Sequence, residues 1–274
     1  MIELPEAITI GRQVKETLAG RMITEVYGAT HPHKFTFYNG TPDEYRTLLK
    51  GKKIEGAIGK GIFVDVVLEG GMFLSISDGI NMRYGTPSAP VPSKHQLLLA
   101  LDDNSFVSFT TSMYGGIYIF KEKLDNKYHT LSMESISPLS EAFDEPYFEQ
   151  KLAAEQKNIT AKAFLATGQR IPGLCNGVLQ DILFNSSIHP RRKIFSLTDP
   201  EKETLFHAIK KTLRAMTEGG GRNTETDFLG HRGRYPVILS KNTWQSPCPR
   251  CGGVIAKEAY LGGSVYYCTE CQKL

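Results

Sequence analysis

Four cysteines near the end of the chain have the spacing of a zinc site. They form two Cys-x-x-Cys pairs, Cys248 with Cys251 and Cys268 with Cys271, and sixteen residues separate the pairs. Such pairs bring four thiolates around one tetrahedral zinc ion at about 2.3 Å. Because four protein ligands leave no open position, we predict one structural Zn ion and expect the chemistry elsewhere in the chain. The alternative is disulfide pairing or simple burial of the cysteines.

Two acids and a lysine are of residue types that can serve catalysis. Glu3 and Glu6 belong to the string Glu3-Leu4-Pro5-Glu6, and Lys60 precedes a predicted strand. A carboxyl group can act as a general acid or base, and an ammonium group can bind phosphate. Judged by residue type alone, these three could equally be ordinary surface residues, because acids near a terminus and lysines on turns are usually solvated.

Three other residues are candidates for binding. Asn176 precedes a helix that begins near Gly177, where it is either a simple N-cap or a phosphate ligand, two functions that are compatible. Met113 and Tyr114 lie between two predicted strands. A Met-Tyr pair in that position fits either the protein core or an exposed contact surface.

Charge is distributed unevenly along the chain. Residues 1–150 hold 14 Lys and Arg against 19 Asp and Glu, a net charge of −5, whereas residues 151–274 hold 18 against 10, a net charge of +8. This asymmetry favours contact between the second half and a polyanion such as nucleic acid. A solvated basic face is the alternative.

Elements of two kinds must position these residues. Short runs with β-type alternation occupy residues 62–68, 72–77, 95–101, 105–110 and 116–120, and apolar spacing predicts a leading helix from Ile8 to Leu18. A further helix is expected to begin at Thr41. Helical periods follow at residues 147–154, 160–166, 176–185 and 199–217.

The predicted fold class is therefore α+β and multidomain. An antiparallel β-sandwich with its leading helix is expected over residues 1–136, a helical domain over 137–243 and a zinc-finger module over 244–274. Within the second domain, residues 220–243 are rich in Gly, Arg, Asn and Thr and predict a long, partly mobile loop.

Neither a signal peptide nor a membrane span is expected, because acids precede any basic cluster and no run approaches 18 apolar residues. The expected location is cytoplasmic, or nucleoid-associated in a prokaryote. The fifth cysteine, Cys175, is interpreted as a small buried residue. We expect a monomer without a membrane partner.

The chain resembles the Fpg/Nei family (formamidopyrimidine-DNA glycosylase and endonuclease VIII). The strings that carry the resemblance are Glu3-Leu4-Pro5-Glu6, Gly173-Leu174-Cys175-Asn176-Gly177, Ser187-Ile188-His189-Pro190 and the ending from Tyr266 to Lys273. Their order and separations span nearly the whole chain. The resemblance implies a base-excision repair enzyme whose sandwich and helix-two-turns-helix unit grip double-stranded DNA that contains a damaged base.

The resemblance also implies functions for individual residues. Glu3 matches the catalytic glutamate and Glu6 a supporting acid, while Lys60 matches a lysine that contacts phosphate near the lesion. The residues assigned to DNA binding are Asn176, Met113, Tyr114 and Lys162. Met113 and Tyr114 fall where the family fills the gap that an extruded base leaves.

Three departures from the family pattern stand out. Ile2 occupies the position of the family's nucleophilic proline, and we expect Met1 to be retained, which puts the covalent route and strand cleavage in doubt. Gly263 replaces an arginine that clamps phosphates, so Arg222, Arg232, Arg234 or Lys257 would have to reach the backbone. Opposite-base selectivity is expected to change, because Met113 replaces an arginine.

Three functions follow from the sequence. The first is a DNA glycosylase, a hydrolase that releases the base with reduced or absent lyase activity. The second is a non-catalytic protein that binds damaged or branched DNA on the same scaffold. The third is a zinc-ribbon interaction protein, which leaves the charge asymmetry and the N-terminal string unexplained.

Overall fold

The computed structural model describes all 274 residues, which form seven α-helices and eleven β-strands. The helices are α1 (Leu4–Leu18), α2 (Pro42–Leu49), α3 (Lys127–Glu134), α4 (Glu145–Ala153), α5 (Ala161–Ala166), α6 (Val178–Asn185) and α7 (Asp199–Glu218). The strands are β1 (Ile23–Tyr27), β2 (Thr36–Tyr38), β3 (Ile54–Lys60), β4 (Phe63–Leu68), β5 (Met72–Ser77), β6 (Ile80–Gly85), β7 (Leu97–Leu101), β8 (Phe106–Thr111), β9 (Gly115–Lys121), β10 (Ile255–Tyr260) and β11 (Gly263–Cys268).

Two sheets share one core in the first half of the chain. Their strand orders are β1-β7-β8-β6 and β2-β9-β5-β4-β3. Alternate residues point inward, as Val64, Val66 and Leu68 of β4 show, each at most 1% exposed. The predicted sandwich is confirmed with one difference: the edge strand β2 pairs in parallel with β9. With three residues, β2 is too short to carry a pattern.

Helix α1 lies between the two large cores of the molecule. Ile10 and Val14 join the core of the sandwich, whereas Leu4 joins the core of the helical half. The helix begins at Leu4 rather than at the predicted Ile8, because Pro5 fits the first turn and Glu6 accepts a hydrogen bond from the backbone N–H of Glu3 at 3.2 Å. The first residues of the chain are thereby fixed where the two halves meet.

The second half is helical, as predicted. The four helical periods correspond to α4, α5, α6 and α7, and α7 begins with a capping box between Thr198 and Glu201. Large side chains such as Phe148 and Phe164 fill their common core. None of the helices in the structure combines the length and the apolar character needed to cross a membrane.

Residues 220–243 form no helix or strand, and two of their apolar side chains pack in neighbouring cores; the mobility of this loop stays a prediction. Phe228 is fully buried in the sandwich core, and its carbonyl oxygen accepts a hydrogen bond from Tyr84 N at 2.9 Å. Leu239 packs in a third core beside the cysteine cluster. The segment is anchored because its few apolar side chains insert into neighbouring cores, a property that its polar composition conceals.

Candidate active site

Glu3 is fully buried at the N-terminus of α6. Its Oε1 accepts hydrogen bonds from Gly177 N at 2.8 Å and Arg222 Nη1 at 3.0 Å, and its Oε2 accepts from Cys175 N at 3.1 Å and Val178 N at 2.9 Å. An ionised carboxylate offers about four lone-pair positions, and here all of them are occupied. The helix N-terminus also favours an anion. Glu3 therefore holds a fixed negative charge and has no free position for a proton.

Arg222 is the buried counter-charge of two carboxylates. Its side chain donates to Glu6 from Nε at 3.0 Å and from Nη2 at 2.8 Å, in addition to the bond with Glu3. Burial alone would raise the pKa of Glu6, but Arg222 lowers it below its ordinary value. Burial alone would lower the pKa of Arg222, but the charges of Glu3 and Glu6 raise it well above its ordinary value.

The sequence did not identify this function of Arg222. It was one of four basic residues expected to reach the DNA backbone. However, Arg222 is only 3% exposed, and its guanidinium forms ion pairs with Glu3 and Glu6. The other three, Arg232, Arg234 and Lys257, are exposed. No pattern could have separated them, because Arg222 follows three glycines and its partners lie more than 200 residues away.

Gly177 makes room for this cluster. A Cβ atom at this position would lie 1.5 Å from Arg222 Nη1 and 2.5 Å from Glu3 Oε1. Both distances are far below van der Waals contact, so any side chain would displace the ion pair. The glycine therefore belongs to the site as much as the charged residues do.

Asp78 is a second buried acid at the same junction, and sequence reasoning missed it. Burial, and then the charge of Glu3, raise the pKa of its carboxyl to about 7. It stands in a Ser-Asp-Gly turn between β5 and β6, and Asp-Gly ordinarily indicates a hairpin turn. Because β5 and β6 belong to different sheets, this turn instead crosses the end of the sandwich.

Asn176 faces the C-terminal hairpin. Its Nδ2 donates to Ser264 O at 3.0 Å, and its buried Oδ1 has no hydrogen-bond partner. A Cβ on Gly263 would lie 3.2 Å from the Asn176 amide carbon, so the glycine allows the hairpin to approach closely. Gly263, which we predict to replace an arginine of the family, thus allows a direct contact between the hairpin and Asn176.

Lys60 ends strand β3 and is half-buried. Its ammonium donates a hydrogen bond to the carbonyl oxygen of Met133, at the end of α3. An ammonium group has three donors, so two remain for other acceptors. The predicted contact of Lys60 with phosphate stays a prediction.

Met113 and Tyr114 form an exposed turn between β8 and β9, with 58% and 51% of their surfaces accessible. They are therefore not core residues, and of the two interpretations of the pair the exposed contact surface remains. Burial, and then the charge of Asp78, raise the pKa of the Tyr114 hydroxyl. Tyr114 therefore borders the site on the side that is open to solvent.

Lys162 is only 3% exposed. Its ammonium donates to the carbonyl oxygen of Tyr260 in β10, and burial lowers its pKa. In this position Lys162 ties α5 to the C-terminal hairpin, while its assignment to DNA binding stays a prediction.

The four cysteine sulfurs form one cluster, all within 4.8 Å of one another and none in a disulfide. Cys248 Sγ lies 3.9 Å from Cys271 Sγ, and Cys251 Sγ lies 3.5 Å from Cys268 Sγ. Tetrahedral ligands at about 2.3 Å from a metal stand about 3.8 Å apart, so these separations suit a metal ion. Strands β10 and β11 form a hairpin that carries the second cysteine pair.

Comparisons with known proteins identify proteins to which the chain is similar. The model of the formamidopyrimidine-DNA glycosylase H2TH domain matches residues 135–227. A formamidopyrimidine-DNA glycosylase of Carboxydothermus hydrogenoformans is 28% identical over 284 residues, with 100% of both chains covered.

Solved structures are similar over almost the whole chain. The complex of Lactococcus lactis Fpg (MutM) with DNA containing Fapy-dG has a TM-score of 0.85 at 23% identity, covering 99% of this chain and 100% of that one. MutM (Fpg) of Thermus thermophilus has a TM-score of 0.81 at 24% identity, covering 98% of each chain. The shared fold, the helical unit and the four-cysteine cluster lead to one assignment: the chain belongs to the Fpg/Nei family.

Proposed function

We propose that this protein is a DNA glycosylase of base-excision repair, which extrudes a damaged base from double-stranded DNA and removes it. The observation that carries the proposal is the carboxylate of Glu3, held by four donors where the sandwich meets the helical half. A duplex gripped between the two halves would place its extruded nucleotide at this junction.

The fixed charge of Glu3 suits one step of base removal. Cleavage of the bond between base and sugar leaves positive charge on the sugar, and a preorganised anion stabilises that charge best in a buried site. Since its lone pairs are occupied, Glu3 acts through its charge rather than as a proton acceptor. Glu6 serves as a positioning residue, because it holds the Arg222 guanidinium against Glu3.

The proposed DNA contacts surround this charge. Lys60 and Asn176 would bind backbone phosphate, and the exposed pair Met113 and Tyr114 would fill the gap that the base leaves. Lys162 would act near the backbone by fixing the hairpin against α5. The net charge of the second half of the chain favours such contacts.

We also propose that the four-cysteine cluster binds one zinc ion. Its all-sulfur donor set and its separations suit tetrahedral Zn, and backbone N–H groups point at Cys248 Sγ and Cys251 Sγ from 3.4 Å. Four ligands leave no position for substrate, so this zinc stabilises the hairpin that contacts Asn176.

Strand cleavage is proposed to be weak. Ile2 lies at the position of the family's proline. It is 4% exposed and packs in the core of the sandwich. The carbonyl oxygen of Met1, the residue before Ile2, accepts a hydrogen bond from Arg222 Nη2 at 3.2 Å. This bond fixes the backbone on the N-terminal side of Ile2. A nucleophilic amine at residue 2 would have to break this packing, so hydrolysis is the favoured route.

Base release from defined duplexes tests the proposal. Duplexes carrying a formamidopyrimidine, an oxidised pyrimidine, an alkylated base or no damage are incubated with the protein, and the free base is quantified by mass spectrometry. We expect release from at least one damaged duplex and a loss of about 10²-fold in Glu3→Gln.

The matched control is Glu16→Gln, the same change on the exposed face of α1. It should release base at the wild-type rate. Tight binding to a damaged duplex without release, unaffected by Glu3→Gln, would instead establish the non-catalytic DNA-binding protein.

A further inference from the structure

We propose that Asp78 is the proton acceptor of the hydrolytic reaction, taking a proton from the water that attacks the sugar while Glu3 supplies a fixed charge. This inference rests on the proposed glycosylase function and assigns a catalytic residue that the family strings do not contain. It answers a question that the structure raises, since Glu3 has no free lone pair.

The first observation is an unsatisfied carboxyl oxygen. Asp78 is 8% exposed, and its buried Oδ1 has no hydrogen-bond partner. Buried polar atoms are nearly always paired, so an unpaired carboxyl oxygen calls for an explanation such as a bound water or a catalytic function. In contrast, Glu6 in the same junction has both oxygens bound.

The second observation is the surroundings of Asp78. Three charged groups change the pKa of Asp78: Glu3, the Met1 ammonium and Arg222. Asp78 in turn raises the pKa of two neighbours, Tyr114 and Cys175. Burial and the charge of Glu3 raise the pKa of Asp78 to about 7, against the opposing effects of the Met1 ammonium and Arg222. A base with a pKa near the working pH is both available and effective.

The third observation is access. The turn that carries Asp78 packs against the exposed turn at Met113 and Tyr114: Ser112 N donates to Gly79 O at 3.0 Å, and a Cβ on Gly79 would lie 1.6 Å from Tyr114 O. Asp78 is therefore the acid directly beneath the turn that is proposed to enter the DNA. An extruded nucleotide beside Tyr114 would reach Asp78 together with its water.

Other groups at the junction are poorly suited to take the proton. Burial, and then the charge of Glu3, raise the pKa of the Cys175 thiol well above its ordinary value, so the thiol stays protonated. The ammonium of Lys60, which donates to Met133 O, has no lone pair with which to accept a proton. Asp78 remains as the one carboxyl of the cluster with an unpaired oxygen.

The reaction balances without a further reactant. The bond between C1′ and the base nitrogen breaks, and its electron pair leaves with the base. The water oxygen bonds to C1′, and one water proton passes to the Asp78 carboxylate. The departing base then takes up that proton, which yields the free base and an abasic site and restores ionised Asp78.

Single-turnover base release between about pH 5.5 and pH 8.5 tests this assignment on duplexes that carry a formamidopyrimidine or an oxidised pyrimidine. The wild-type rate should rise with pH and level off above an inflection near 7, where Asp78 is ionised. Asp78→Asn should lose about 10²-fold or more at high pH and show no inflection there.

Three companion variants complete the test. Asp78→Glu should retain release with a displaced inflection. Glu3→Gln should be slow and should keep an inflection, which moves to lower pH because the charge of Glu3 no longer raises the pKa of Asp78. Asp125→Asn, the same change at an exposed aspartate, should match the wild type. Circular dichroism and binding to the same duplex establish that each variant is folded.

Two failures can be told apart. If Asp78→Asn releases base with the wild-type pH profile, Asp78 is not the acceptor, although the glycosylase function stands. If the folded wild-type protein releases no base from either duplex, the proposed function fails and this assignment fails with it.

Discussion

Replacing Asp78 with asparagine should stabilise the protein, and the gain should grow with pH. The carboxyl has a pKa of about 7 when folded against an ordinary value of 3.8, because burial and Glu3 disfavour its charge. Between these values the folded state keeps a proton that the unfolded chain has lost, so the stability of the wild type falls as pH rises toward 7. Asparagine carries no proton to lose.

The magnitude follows from the width of the window. From about pH 5.5 to about pH 7 the wild type loses about 1.36 kcal/mol per pH unit from this group, or about 2 kcal/mol in all, and nothing further above pH 8. The difference in unfolding free energy between Asp78→Asn and the wild type should therefore be about 2 kcal/mol larger at pH 8 than at pH 5.5.

Urea unfolding at the two pH values measures this double difference. Asp181, whose pKa is raised to about 6 chiefly by burial, titrates in the same window, but it is present in both proteins and cancels. The control Asp125→Asn, at an exposed position, should give no double difference. An Asp78→Asn gain that is independent of pH, or that shrinks as pH rises, would refute the description of this carboxyl.

Other parts of the site give further predictions. Arg222→Met leaves two buried carboxylates without a counter-charge and should lower the unfolding free energy by about 3–5 kcal/mol at pH 7, measured by urea unfolding; a loss below about 1 kcal/mol would contradict the buried pairing. Gly177→Ala places a methyl group 1.5 Å from Arg222 Nη1, so it should lower both Tm and base release; an unchanged release rate would show that the cluster is not needed in this form. Removing metal with a chelator should expose four additional reactive thiols and weaken DNA binding, and elemental analysis should find one zinc per chain before treatment.

The sequence predicted the sandwich well, because the physics that forms it is local. Period-two runs such as Met72, Leu74 and Ile76 place one side of a strand in the core, and turn residues separate the runs. The cysteine spacing was equally informative, because two short knuckles suffice to gather four sulfurs. These features depend on neighbours in sequence, so a pattern reveals them.

The active site depends on contacts that no local pattern encodes. Arg222 reaches Glu3 and Glu6 across the whole chain, and its burial is visible only once the halves are packed together. A lysine is ordinarily expected at the surface, yet Lys162 is buried beneath the C-terminal hairpin. In the sequence Asp78 belongs to an Asp-Gly pair that indicates an ordinary turn. Only the structure shows that this turn lies at the end of the two sheets and that one oxygen of Asp78 is buried without a partner.

The central claim is that a fixed buried anion supports hydrolytic removal of a base. It is tested most directly by measuring free base and borohydride-trapped protein in the same reaction on a duplex with a formamidopyrimidine. We predict that base is released while at most a small fraction of the protein becomes attached to DNA. A covalent adduct that forms in step with base release would show an amine nucleophile and contradict the hydrolytic account.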